Sequence, residues 1–284
     1  MSAARIAVVV RPEQSPEDLV RHARYTDEVG IDEVWLWEDC FFGGGIATAA
    51  TVLAETDRVG VAIGVLPTPM RNTAITAMEI SALARVHPDR LRVGFGHGVQ
   101  SWMRQIGAKA ESPLTLLREQ FGAVERLLGG ESVTVSGRYV NLTDVTLAWP
   151  PETVPQLLVG ATGPKTLALS GELAQGTVLS GGTTPDGVRR AIAHIGASDH
   201  EVVVYVICAF GSGGRERALA EAAASGSESP EDAIAVGNAA EVAAAARRWV
   251  AAGATTVVLQ PTVDEPDVRE FIRFVAQEVQ PLVA

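Results

Sequence analysis

The sequence predicts an α/β fold, a (β/α)8 TIM barrel forming one domain over residues 1–284. Three observations carry this. Short β-branched runs alternate with Ala-, Leu- and Arg-rich stretches of helical pattern, the mark of βα units around a parallel sheet. Eight such runs can be counted, and an open doubly wound sheet usually has fewer. The 284 residues, 47% of them hydrophobic, suffice for a barrel with a packed core.

The first strand spans residues 5–10. Ser15-Pro16-Glu17 then opens a helix, a capping serine before a helix-start proline, and Gly30 closes it. Strands two to four span residues 33–37, 59–65 and 91–95, each followed by a helix. Residues 133–140 interrupt the alternation as a small β-hairpin with a Ser-Gly turn, inserted after the fourth unit. Strands five to eight span residues 156–160, 177–180, 201–208 and 255–260. Residues 211–237 are rich in Ala, Gly, Ser and Glu and read as a helix plus a mobile loop. The last helix begins near Pro266-Asp267 and runs to about Gln280.

A net charge of −11 argues against a nucleic-acid surface and gives no support to an anionic-membrane partner. The longest apolar run, residues 202–210, is too short to span a bilayer. Two cysteines, Cys40 and Cys208, imply no disulfide framework and read as small buried hydrophobes. Met1 runs straight towards the first strand without a charged-then-apolar leader. The expectation is a cytoplasmic protein acting on a small molecule, with no nucleic-acid or membrane partner.

Chemistry in this fold sits where the strands end. Two glycine-rich turns stand at such places: Gly94-Phe95-Gly96-His97-Gly98, and Gly160-Ala161-Thr162-Gly163 before Pro164-Lys165. Glycine lets a backbone approach a ligand closely, and a helix N-terminus offers N–H groups to an anion. Two such turns suggest a phosphate-bearing cofactor. The other ends offer Arg11, Glu38 and Asp39, Leu66 and Pro67, Ser180 and Gly181, Cys208 and Phe210, and Gln260 and Thr262.

This inventory is poor in acids and bases. Schiff-base chemistry needs a lysine in the barrel mouth, whereas Lys109 and Lys165 end no strand. A metal site needs several His and carboxylates, and the five histidines form no His-x-His or His-Glu-x-x-His, so no metal is expected. No Gly-x-Ser-x-Gly turn offers a serine nucleophile. What remains is a scaffold that positions and shields while a cofactor supplies reactivity.

Five segments carry a resemblance: residues 35–39, 64–71, 92–98, 159–165 and 251–259. Together they resemble the bacterial luciferase-like superfamily of flavin and deazaflavin oxidoreductases, most of all the branch using coenzyme F420. The resemblance covers nearly the whole chain. It implies a tricyclic ring lying across the strand ends, with a non-proline cis peptide at Gly64-Val65 forming a bulge behind it, and Leu66 beside it. Gly96, His97 and Gly98, and Gly160, Ala161, Thr162 and Gly163 with Ser180 and Gly181 alongside, would hold the cofactor. Glu38 and Asp39 would lie near ring or substrate, or else cap a helix. Asp39 stands where relatives often carry His, and Val99 where sugar-phosphate relatives carry Glu, so a sugar phosphate is disfavoured. Asp39 and His97 are the candidates for polar assistance. Arg71 and Arg104 are either surface arginines or partners of the acidic cofactor tail. Gln100 could line the same face, and Trp102 either lines it or belongs to the core. Trp37, Phe41, Phe42, Leu66, Phe95, Trp102 and Phe210 suggest an apolar pocket. The implied function is hydride transfer between deazaflavin C5 and a small apolar substrate by a homodimer. An FMN-dependent monooxygenase, a non-catalytic flavin-binding barrel and a phosphate-binding isomerase stay as alternatives.

Overall fold

The structure is a computed structural model that describes residues 4–283. Met1, where the leader reading begins, lies outside them. Period-two alternation sets the layers. In β1 (Arg5–Val10), Ala7 and Val9 face the barrel interior, while Ile6, Val8 and Val10 join the layer beneath the helices.

The strands that follow are β2 (Glu33–Leu36), β3 (Gly60–Pro67), β4 (Leu91–Gly96), the pair β5 (Val133–Ser136) and β6 (Asn141–Val145), then β7 (Gln156–Gly160), β8 (Gly176–Leu179), β9 (Glu201–Ala209), β10 (Ile234–Val236) and β11 (Thr256–Pro261). Parallel pairing runs β1–β2–β3–β4–β7–β8–β9–β11 and returns to β1. The predicted eight-stranded barrel therefore closes.

Around it lie α1 (Pro16–Val29), α2 (Gly45–Ala54), α3 (Thr73–Val86), α4 (Gln100–Gln105), α5 (Pro113–Leu128), α6 (Pro164–Leu173), α7 (Pro185–Ile195), α8 (Gly214–Ala224), α9 (Ala239–Ala251), α10 (Val268–Phe274) and α11 (Gln280–Val283). Ser15 caps α1 by accepting from the Asp18 N–H, and Gly30 ends it at φ +84°. Both ends stand where the sequence puts them.

Three expectations need correction. The hairpin reaches Val145: Ser136 pairs with Asn141, and residues 137–140 form its loop in place of a Ser-Gly turn. Residues 211–237 hold α8, a 3-10 turn at Pro230–Asp232 and β10, which pairs with β9 as a ninth strand. That strand is three residues long and follows a Pro-Glu-Asp turn, too short for an alternation signal. The last helix starts at Val268 and passes through a π-helical stretch at Val275–Val279 before α11.

The N-terminal end of the barrel is closed by charge. Arg92 donates to both Glu33 oxygens at 2.8 and 2.9 Å, and Glu201 takes up Arg92, Arg5 and the Gln156 amide, the last at 2.5 Å. The Trp35 indole also donates to Glu33, at 2.6 Å. Two arginines and two glutamates balance, so the buried charges are paired. Removing one partner strands the others. Glu201→Ala is expected to destabilise the fold by about 3–5 kcal/mol, read as a fall in the urea midpoint with unchanged m. A midpoint within error of the parent would contradict the network's role.

Candidate functional site

At the other end, β3 departs from strict alternation. Its register to β4 shifts between Ile63 and Leu66, so Gly64 and Val65 both face inward while Ile63 and Leu66 face outward. The Gly64–Val65 peptide is cis, as is Cys40–Phe41. Val65 lies against Gly94, Gly96 and Gly160. A Cβ at these positions would stand 2.8, 2.5 and 2.9 Å from its methyls. Gly64 in turn has no room for a side chain, since a Cβ would meet the Tyr205 hydroxyl at 2.3 Å and Trp35 at 2.7 Å. The Tyr205 hydroxyl donates to the Gly64 carbonyl at 3.3 Å. Its ring meets Trp35 and Trp37 edge-on at 5.7 and 5.4 Å. Burial pushes the Tyr205 phenol well up, so it stays a neutral donor.

The two glycine turns come together here. His97 Nε2 meets the Thr166 hydroxyl of α6 at 2.9 Å, joining the end of β4 to the helix after Gly163. Its Nδ1 is buried without a hydrogen-bond partner among the described residues. Burial lowers the His97 pKa, opposed by the Pro113 backbone. Gln100 donates to the His97 and Gly98 carbonyls at 3.1 and 3.2 Å and so braces the first turn. Beside the second turn lies a cavity of about 880 Å³, lined by Ala161, Thr162, Ser180, Gly181 and the start of α7. The Thr184 hydroxyl caps α7 by accepting from the Gly187 N–H.

Glu38 and Asp39 part company. Glu38 is buried, accepts the Gly45 N–H at 2.9 Å and pairs with Arg71. Arg71 also reaches Glu79 at 3.1 Å, so its guanidinium is committed within the fold. Arg104 is exposed. Asp39 is half-buried, and burial raises its pKa, helped by Glu13 and opposed by Arg11.

The apolar pocket is corrected. Leu66, Phe95 and Phe210 pack in the outer layer: Phe95 meets Phe121 at 5.6 Å, and Phe210 stacks on Phe274 at 4.4 Å. Phe95 falls between two inward glycines, so one residue of phase sends it outward. Trp37 faces the interior, Trp102 is half-buried, and Phe41 and Phe42 are exposed.

Sequence reasoning missed two features. Tyr205 is the one aromatic in the apolar run of β9, at an inward phase; the alternation could have flagged it. Glu221 of α8 accepts from Arg11 at 2.5 Å, Gln260 at 2.6 Å and the Val263 N–H at 2.7 Å. Arg11 also bonds Glu13 at 2.7 Å and lies 5.2 Å over the Trp37 ring. Nothing in the Ala-rich sequence around Glu221 points to this convergence.

Residues 1–256 match the family described as luciferase-like monooxygenase. The chain belongs to that family. This luciferase-like chain is 32% identical over 180 residues to a 5,10-methylenetetrahydromethanopterin reductase of Methanolobus tindarius, covering 63% of this chain and 54% of the relative. It spans about half the length of the curated relatives it matches. An F420-dependent secondary alcohol dehydrogenase, solved with an F420-acetone adduct, has the same fold (TM-score 0.88, 18% identity, both chains covered in full). So does the oxygenating constituent of 3,6-diketocamphane monooxygenase of Pseudomonas putida in complex with FMN (TM-score 0.79, 16% identity, 99% of each chain). The luciferase-like barrel with its hairpin after β4 is thus the fold of this chain.

The Asp39 carboxyl gives a pH signature. Its raised pKa means the folded chain holds this proton more tightly than the unfolded one. Above the folded pKa the ionised group destabilises the fold, and the penalty fades as pH falls through that value. Asp39→Asn is therefore expected to raise Tm above neutrality, with the gain shrinking as pH drops into the carboxylate range. A gain that is absent, or constant with pH, contradicts the assignment.

Proposed function

We propose that this chain is an F420-dependent oxidoreductase that transfers a hydride between deazaflavin C5 and a small apolar organic substrate. The observation that carries the reading is Val65, held at the mouth by three glycines that leave it as a raised platform, with a cavity at the ends of β7 and β8 walled by the start of α7. An F420-dependent glucose-6-phosphate dehydrogenase of Microbacterium testaceum, 28% identical over 183 residues, and the F420-dependent secondary alcohol dehydrogenase of the same fold support deazaflavin as the cofactor.

The residues fit such a group. Gly64 and Val65 would back the ring, with Gly96, His97 and Gly98 along one edge. Gly160, Ala161, Thr162 and Gly163, with Ser180 and Gly181, would receive the phosphate region at the start of α6. When bound, the deazaflavin supplies the carbon that takes or gives the hydride. The chain's own part is to hold the reacting carbons in contact and keep water out. Asp39, its proton affinity raised by burial, can hold or release a proton at its carboxyl oxygen. The His97 ring, its pKa lowered by burial, is anchored to Thr166 through Nε2, with Nδ1 buried against the protein. Arg71, bound to Glu38 and Glu79, is not available to the cofactor tail.

A second reading keeps the barrel and takes FMN, favoured by the FMN-bound relative of the same fold. The working form is taken as a homodimer of one-domain chains, which the exposed Ile75 and Met78 of α3 support. Titration of the purified chain with oxidised F420 and with FMN, followed by absorbance and fluorescence, tests the reading. F420 is expected to bind at least about tenfold more tightly, a difference of roughly 1.4 kcal/mol. Preference for FMN, with rapid oxygen-linked turnover of its reduced form, overturns it.

A further inference from the structure

Large apolar side chains gather on one side of the barrel mouth. Phe41 is 65% exposed, Phe42 54%, Val99 46% and Ile106 42%, and Met70 is exposed beside them. They come from three segments joined in sequence by contacts: the loop after β2 to the 3-10 turn Thr68–Met70 after β3, and that turn to the end of β4 and α4. Cys40 Sγ lies 3.7 Å from Met70 Sδ, and the Thr68 hydroxyl donates to the Gly96 carbonyl at 3.1 Å. A Cβ at Gly98 would stand 3.0 Å from both Pro67 and Met103. The adjoining side, at the ends of β1 and β11 with α8 above them, is charged and polar: Arg11, Glu13, Glu221 and Gln260 form one bonded network. Trp37 lies beneath Arg11 at the edge of that network.

Exposed aromatics clustered at a pocket mouth mark a surface that a ligand covers. The cluster is continuous with the candidate site through Thr68, Gly96 and Gly98; Asp39 and the exposed Arg104 are charged groups on the same segments. Through Thr68 and Gly96 it adjoins the strand ends that hold Val65, so a molecule lying over Val65 could extend onto it.

We propose that Phe41, Phe42, Met70, Val99 and Ile106 form a rim that seats the hydrocarbon body of the substrate, a lipophilic molecule longer than the mouth whose polar reacting end enters the barrel. The proposal rests on the function above for where the reacting end lies. It adds that selection happens outside the barrel, by length and apolar area. Each added methylene laid on a half-exposed rim strengthens binding by about twofold, less than the roughly fourfold of full burial.

The probe is N-phenyl-1-naphthylamine, an uncharged dye that fluoresces in apolar contact, titrated onto the whole protein. Straight-chain alkan-2-ols of increasing length then displace it. The expected result is displacement that strengthens by about twofold per methylene. The double variant Phe41→Ser/Phe42→Ser is expected to bind the dye about tenfold more weakly, with F420 affinity unchanged. Val99→Ser/Ile106→Ser provides an independent pair from a second segment and is expected to weaken the dye in the same direction. Three results overturn the proposal: displacement that ignores chain length; dye binding unchanged in both variants; or sedimentation showing that the variants convert a dimer to a monomer, which would make the rim an interface between copies. Failure of the cofactor reading is seen separately, as an unsubstituted chain that binds the dye and not F420.

Discussion

The contact of Val65 with Gly94, Gly96 and Gly160 is the constraint around which the mouth is arranged. With Gly64 and Val65 both turned inward in β3, Val65 would collide with a side chain at position 94 or 96 of β4 or 160 of β7. Three glycines remove those side chains, and Val65, stiff at its branched Cβ, fills the space. Gly64 is then fixed from below by Tyr205 and Trp35. The bulge, the glycines and the tyrosine form one packed unit with contributions from five strands.

Charge is segregated along the barrel axis. At the N-terminal end, Glu33, Glu201, Arg92 and Arg5 neutralise one another and close the interior. Above them Trp35 belongs to both layers: its indole donates to Glu33, and its ring abuts the site that Gly64 leaves free. The mouth is then split between a bonded network around Glu221 and the apolar segments after β2, β3 and β4. Function in this fold concentrates at the C-terminal ends of the strands, and the neutral N-terminal network reads as stability.

Much of the fold was legible in sequence. The eight barrel strands stand within one or two residues of their predicted bounds, because parallel strands buried on both faces leave near-continuous β-branched runs. The α1 termini were legible because Ser15 and Gly30 act locally. The site was legible only in part. The glycines of both turns were visible, but their packing role was not: they were read for ligand approach, and nothing local says that Val65 of a third strand fills the space beside them. Phe95 was misplaced by one residue of phase. Glu38 and Arg71, 33 positions apart, and Arg11 and Glu221, 210 apart, pair through tertiary geometry to which a single sequence gives no access.

The mouth therefore depends on Val65 and its seat. A double-mutant cycle between Gly96→Ala and Val65→Ala tests this directly, with stability by urea unfolding and F420 affinity by fluorescence read on each variant. Gly96→Ala should destabilise the fold by about 1–3 kcal/mol, since its new Cβ falls within 2.5 Å of a Val65 methyl. Adding Val65→Ala should recover most of that stability, with F420 binding weakened in every variant that alters the platform. Additive stability effects, or F420 affinity indifferent to Val65, would contradict it.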